Sequence, residues 1–220
     1  MKGNDFENLK GLIAERIFRQ AKLANSLKQT FVDSCIDYGL INVVTFDKPF
    51  IIAMDGMSAS LKTTVAERLA VDFDGAVIHC DDFFLPMELR TQERLEEPGG
   101  NIHYERMKTE VIDKFPDRLE AYTRFDCSVM AYKGIVEVPR KRLYIVEGAY
   151  ALHPYFGKYY DVSIFMRVSK EEQIKRLKLR NGNTDTFVNK WIPMEKIYNK
   201  SYEIENNADI VVDTTDWRSV

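Results

Sequence analysis

Nine consecutive residues carry the clearest chemistry in the chain: Gly56-Met57-Ser58-Ala59-Ser60-Leu61-Lys62-Thr63-Thr64. They approach the spacing G-x-x-x-x-G-K-[ST], in which backbone N–H groups and a helix N-terminus cradle phosphate oxygens. In such a loop Lys62 neutralises the β- and γ-phosphates, and the Thr63 hydroxyl ligates Mg²⁺. Small Ser58, Ala59 and Ser60 let the backbone come close to the anion. The candidate nucleotide-binding set is therefore Gly56, Ser58, Ala59, Ser60, Leu61, Lys62, Thr63 and Thr64, with ATP and Mg²⁺ as the expected cofactors. Leu61 stands where the pattern has glycine. If that position requires positive φ, leucine costs on the order of 1–2 kcal/mol there.

Three acidic residues stand directly after short apolar runs: Asp55 after Phe50–Met54, Asp81 after Ala76–His79 and Cys80, and Glu147 after Leu143–Val146. A carboxylate that orients a hydroxyl and accepts its proton suits transfer of a phosphoryl group to an alcohol, and Asp81 is the candidate base. The competing reading of Asp81 or Asp82 is a turn cap. Phe83 and Phe84 are candidates for core packing or for stacking on a substrate. Arg176 and Arg180 are four residues apart and share a helix face.

The elements that must position these residues alternate. The pattern predicts a helix over 4–38, a short strand at 41–45, a turn at 46–49 and a strand at 50–54. Further on it predicts a helix at 62–71, a strand at 76–79, a charged, Pro- and Gly-containing loop or lid at 85–101, and a helix at 104–114. The remainder reads as strands at 143–146 and 162–168, helices at 170–181 and 191–205, and a strand at 209–212. Alternation of this kind predicts an α/β fold with a mainly parallel sheet between two helical layers, preceded by an N-terminal helix. In parallel sheets ligands bind outside the carboxyl ends of the strands, where Asp55, Asp81 and Glu147 would gather.

Composition narrows the classes. The chain has 220 residues, 45% hydrophobic and 30% charged, with a net charge of −3. That suits one domain over 1–220 and gives no sign of a general nucleic-acid or anionic-membrane binder. Three cysteines without close pairing (Cys35, Cys80, Cys127) argue against a disulfide framework or zinc site and fit a reducing cytoplasm. Charged residues interrupt every candidate membrane span, and no apolar leader opens the sequence.

The pieces DGMSASLKTT (55–64), HCDDFFLP (79–86), EEPGGNIHYERM (96–107), YIVEGAYAL (144–152), RLKLRNG (176–182) and ADIVVD (208–213) resemble the uridine kinase family in type and order. That family lies within a wider group including pantothenate kinase and phosphoribulokinase. The resemblance covers about residues 49–213 and leaves the N-terminal helix, about 1–40, outside. It implies a three-layer P-loop fold and an ATP-dependent kinase for a small alcohol, with the 5′-hydroxyl of a nucleoside such as uridine as the expected acceptor. By the same resemblance Asp81 is the general base, Glu147 lies near Mg²⁺ beside Thr63, and the arginines Arg176 and Arg180 form a lid over the triphosphate. The acceptor would meet Asp81, Phe83, Glu97 (or Glu96), His103, Tyr104 (or Arg106) and Phe125. The histidine that helps read a pyrimidine in that family has no counterpart in Ser128–Tyr132, where Tyr132 is a substitute candidate. Other alcohols, such as pantothenate or a sugar phosphate, would leave the same signature, and a binding protein with a loop impaired by Leu61 is the alternative. The N-terminal helix is expected to pack on the sheet edge or on a second subunit of a homo-oligomer.

Overall fold

The computed structural model describes residues 5–25 and 49–217. The strand expected at 41–45, most of the turn after it and the far part of the first helix lie outside the described residues, as does Cys35. Within them the chain order is α1 (Asp5–Asn25), β1 (Phe50–Gly56), α2 (Lys62–Asp72), β2 (Ala76–His79), α3 (Gln92–Glu96), α4 (Tyr104–Glu110), β3 (Ala121–Asp126), β4 (Ala131–Glu137), β5 (Leu143–Glu147), β6 (Val162–Arg167), α5 (Lys170–Asn181), α6 (Ile192–Tyr202), α7 (Ile204–Asn207) and β7 (Ile210–Asp213). Five strands form one sheet in the order β2-β5-β1-β6-β7, and every neighbouring pair is parallel. β3 and β4 form a separate antiparallel hairpin. This is the α/β three-layer arrangement that the alternation predicts.

Side chains of successive strand residues point to opposite faces, and both faces of this sheet are apolar. Phe50, Ile52 and Met54 of β1, with Leu143 and Ile145 of β5 and Val162, Ile164 and Met166 of β6, meet Val65, Ala66 and Leu69 of α2. The alternate residues Tyr144, Val146 and Phe165 face a second cluster that holds Met107 of α4, Tyr122 of β3 and Tyr198 of α6. The parallel register places Met54 opposite Glu147, and His79 opposite Glu147 from the other side. The carboxyl ends of β1, β2 and β5 therefore reach one edge together.

α1 lies on the first face of the sheet rather than apart from it. Leu9 and Ile13 are fully buried, with Phe6, Ala14 and Ile17 beside them, in the same cluster as α2 and Val212 of β7. Lys10–Asp72 at 2.9 Å and the Arg68 guanidinium, 4.5 Å from the Phe6 ring centroid, tie it to α2 at the rim.

Three features differ from expectation. The helix expected over 104–114 stops at Glu110 and resumes as a 3₁₀ turn at Ile112–Lys114. That expected over 191–205 is a π-helical turn (Phe187–Trp191), then α6, then a break at Glu203, whose φ is 51°. The lid at 85–101 is a fastened strap. Phe84 and Ile102 close its neck as a β-bridge, and His103 N–H donates to Phe83 O at 2.7 Å. Arg94 holds its body, forking onto Glu105 (2.7 and 2.9 Å), donating to Gly100 O (2.9 Å) and lying 3.7 Å from the Tyr104 ring centroid. Among the described residues no helix is long and apolar enough to cross a membrane.

Because α1 completes a core, truncating it from inside should cost as much as a change in the sheet. Ile13→Ala is expected to lower unfolding free energy by about 2–5 kcal/mol. Urea unfolding would show this, and a change below about 0.5 kcal/mol, the range of surface substitutions, would place α1 outside the cooperative unit.

Candidate active site

The three strand-end carboxylates have separate roles. Asp55 is 1% exposed and accepts four hydrogen bonds, from Gly56 N–H (2.6 Å), Tyr150 N–H (3.1 Å), Leu152 N–H (2.9 Å) and the Tyr198 hydroxyl (2.8 Å). Burial raises its pKa, and these donors pull the other way. Every donor is structural, so Asp55 is an anchor. Glu147 and Asp81 face a cleft of about 570 Å³ that runs along the carboxyl edge of the sheet. Asp82 turns inward instead, accepting from the Tyr122 hydroxyl at 2.8 Å and pairing with Arg124.

The phosphate loop joins β1 to α2. A Cβ on Gly56, whose φ is 145°, would stand 2.1 Å from the Met166 carbonyl oxygen of β6, so only glycine fits. Leu61 has φ 69° and ψ 18°, and Ala59 has φ 58°. The positive φ considered for Leu61 from sequence is present, and each of these residues carries about 1–2 kcal/mol of strain. The Leu61 side chain packs against the core cluster of α1 and α2. Leucine here adopts the left-handed conformation that favours glycine. Surrounding groups hold the loop: Gln173 Nε2 donates to Ser58 O (2.9 Å), Arg176 to Ala59 O (3.2 Å) and the Thr214 hydroxyl to Ser60 O (3.2 Å). Lys62 Nζ donates to Gly56 O (2.9 Å) and Met57 O (2.8 Å), back across the loop's mouth.

Ser58 to Thr64 line the cleft together with Asp81, Glu147, Arg176 and Arg180. The Thr63 hydroxyl donates to Glu147 Oε1 at 3.1 Å, and His79 Nδ1 lies 2.6 Å from the same oxygen. That hydrogen bond to Glu147 raises the His79 pKa. Mg²⁺ takes oxygen donors, usually one or two carboxylates with phosphate oxygens and several waters. Thr63 and Glu147 supply such a set beside the loop. Among the described residues no group of three or more His, Cys, Asp or Glu side chains is arranged to hold a metal alone. The donor set therefore fits an Mg²⁺ shared with bound phosphate. Asp81 is open to water in the cleft but walled by protein; that burial and the charge of Glu147 raise its pKa, while Lys62 and His79 oppose.

Several predicted contacts are elsewhere. Phe83 is fully buried, 5.1 Å from Tyr122 between ring centroids, and Phe84 takes the cleft position. The 3₁₀ turn Cys80–Phe83 sets this parity. Phe125 is buried edge-on to Tyr132. Glu97 accepts from the Tyr104 hydroxyl at 2.9 Å, and His103 caps α4; all three serve the strap. Arg106 is buried under the Phe83 ring and donates to Asp82 O and Thr123 O. Arg176 lines the cleft, yet its guanidinium is bound to Ala59 O, Thr214 O (2.6 Å), the Thr214 hydroxyl and Glu172. Its main work is to brace the loop.

Sequence reasoning missed Glu195. From the first turn of α6 its carboxylate accepts the Ser58 N–H at 2.9 Å and a short hydrogen bond from the Ser58 hydroxyl. A carboxylate thus occupies an N–H of the phosphate loop. Burial raises its pKa, against the attraction of Lys62. A single acid in a helical pattern gives no signal of this. His79, Arg90 and Asn101 were also missed as site residues, although His79 sits in the strand that leads to Asp81.

No protein-family model matches the chain. Among solved structures it is similar to a possible uridine kinase from Bacillus stearothermophilus, at 18% identity over 83% of this chain and 99% of that one, with a TM-score of 0.59. It is similar also to a proposed fructose transport system kinase from Silicibacter sp., at 20% identity over 81% of this chain and 98% of that one, TM-score 0.59. At these identities the likeness shows the fold, that of the P-loop kinases.

Two substitutions test the loop. Glu195→Gln removes the competing charge but keeps the side-chain size, so ADP–Mg²⁺ should bind about tenfold more tightly by calorimetry, a gain of about 1.4 kcal/mol. Weaker binding would show that Glu195 supports the occupied loop. Leu61→Gly relieves about 1 kcal/mol of strain but loses packing, so ADP affinity should change less than about threefold. A gain of orders of magnitude would mean that leucine disables the loop.

Proposed function

We propose that the protein is an ATP-dependent phosphotransferase that moves the γ-phosphoryl group to the hydroxyl of a small molecule. The observation that carries this reading is the meeting, in one cleft, of the strand–loop–helix segment 56–64, the Thr63–Glu147 pair at 3.1 Å and the carboxylate of Asp81. The fold shared with P-loop kinases supports it.

In this reading the loop N–H groups and Lys62 bind the phosphates, with Lys62 leaving the Gly56 and Met57 carbonyls. Arg180, which lines the cleft on α5, adds positive charge. Thr63 and Glu147 would hold Mg²⁺, which would supply positive charge beside the phosphates. Asp81 orients the acceptor hydroxyl and takes its proton as the new O–P bond forms and the bond from Pγ to the ADP oxygen breaks. Transfer of this kind depends on positioning and electrostatics more than on covalent participation.

The resemblance suggests a nucleoside such as uridine as acceptor, taken at its 5′-hydroxyl. Of the side chains it assigns to the nucleoside, Asp81 lines the cleft, while Phe83, Glu97, His103, Tyr104 and Phe125 do not. A binding protein without turnover is the second reading, and Glu195 on Ser58 is the observation that favours it. Calorimetry with ATP–Mg²⁺, followed by ADP release on adding acceptors, separates the two.

Asp81→Asn should lower turnover by about 10²–10⁴-fold while leaving ATP–Mg²⁺ affinity nearly unchanged. Undiminished turnover would remove Asp81 from the mechanism. Because Asp81 must be ionised to accept a proton and its pKa is raised, the rate should fall on acidification at a pH above the ordinary carboxylate range of about 4. The acid limb of the pH–rate profile measures this, and a limb at or below that range would contradict it.

A further inference from the structure

The cleft has two halves. The phosphate loop and α5 form the half over β1 and β6. The other half lies toward β2, where Asp81, the strap and the β3–β4 hairpin meet. Arg90 and Asn101, both on the strap, line this second half.

Their placement is built. Arg90 Nε donates to Leu85 O at 2.8 Å, and Leu85 N–H donates to Asn101 O at 2.9 Å, so one residue at the neck of the strap positions both. Beyond Leu85 the hydrogen-bond partner of the Arg90 guanidinium among the described residues is the Met130 sulfur, at 3.9 Å, and it forms no ion pair among them. The other cleft-lining cations already have oxygen partners on the loop side, or lie on α5. Asn101 is 2% exposed, and neither carboxamide atom makes a hydrogen bond of normal geometry. It lies beside the Tyr150 hydroxyl, whose pKa burial raises. A buried amide with few partners costs stability, and both carboxamide atoms are closed off from the cleft. Arg90, Asp81 and Cys127, the last between the hairpin strands, line the same cleft. The remaining walls there include Phe84, Met130 and Trp191.

We propose that the acceptor is a small alcohol bearing an anionic group, a carboxylate or a phosphate ester, which Arg90 binds. The assignment rests on the kinase reading, and it selects among acceptors that the reading leaves open. A planar guanidinium with no carboxylate partner suits either anion. A neutral nucleoside would leave Arg90 without a counter-charge.

Calorimetry tests it with the loop filled, using protein saturated with Mg²⁺ and a non-hydrolysable ATP analogue. The probes are ribose 5-phosphate against ribose, pantothenate against pantothenol, and uridine. At least one charged probe should bind tenfold or more tightly than its neutral partner and than uridine. Arg90→Gln should abolish that preference, and Arg90→Lys should keep most of it. Equal binding of charged and neutral probes, no binding of either charged probe, or a preference that survives in Arg90→Gln would overturn the assignment. Failure of the ATP analogue to bind is seen before any acceptor is added; it would sink the kinase reading and the acceptor assignment with it.

Discussion

The carboxylate of Asp55 is the constraint on which the site depends. A buried carboxylate costs several kcal/mol in lost hydration unless hydrogen bonds replace the water. Here four donors do so, and they come from three parts of the chain: the phosphate loop at Gly56, the segment after β5 at Tyr150 and Leu152, and α6 at Tyr198. Each donor bond to an ionised group contributes about 1.5–3 kcal/mol. One charge thus fixes the end of β1, the turn that follows Glu147 and the helix that carries Glu195. The turn has its own tight fit, because a Cβ on Gly148 would come within 2.7 Å of Cys80 Cβ. Asp55 is consumed by this work, which leaves Asp81 and Glu147 as the strand-end acids available to a ligand.

The frame was legible in the sequence because parallel strands covered on both faces are continuous apolar runs. β2 matches its expected limits, and α2, β5 and β6 agree to within a residue. Strand parity also brought Asp81, Glu147 and the loop to one edge. Legibility ended where the backbone leaves regular geometry. The β3–β4 hairpin escaped notice because Lys133 and Gly134 divide the apolar residues of β4 into two short pieces without regular alternation. The strap is charged and rich in turns, which reads as mobile, yet Arg94 organises it by contacts between residues 6 to 11 positions apart. The Phe83 and Phe84 exchange follows from a 3₁₀ turn of four residues, too short to leave a periodic trace. Glu195 acts across 137 positions of sequence, a separation that no local pattern encodes.

The cleft also shows that residue type does not fix role. Arg176 and Arg90 both line it, but Arg176 meets three backbone oxygens at hydrogen-bonding distance or close to it, and Glu172 in addition. Its charge is spent on the loop and the turn after β7. Arg90 is held by a single carbonyl. Likewise Tyr104 and Tyr198 sit in one stacked group around His153, whose pKa burial pushes down to about 4, so a neutral imidazole fills that aromatic layer. Those rings support the strap and α6 from behind.

The position of Trp191 has an optical consequence. The sequence holds two tryptophans. Trp217 packs partly buried against the α1–α2 core, away from the cleft, while Trp191 lines it, 6.1 Å from the Phe84 ring and with Lys190 Nζ 4.8 Å from its own ring centroid. The indole stands on the turn between α5 and α6, the link between the arginine-bearing helix and Glu195. Filling the cleft therefore changes the polarity around the Trp191 ring directly. Occupancy of the cleft is thus coupled to the intrinsic emission of the protein, readable without a label.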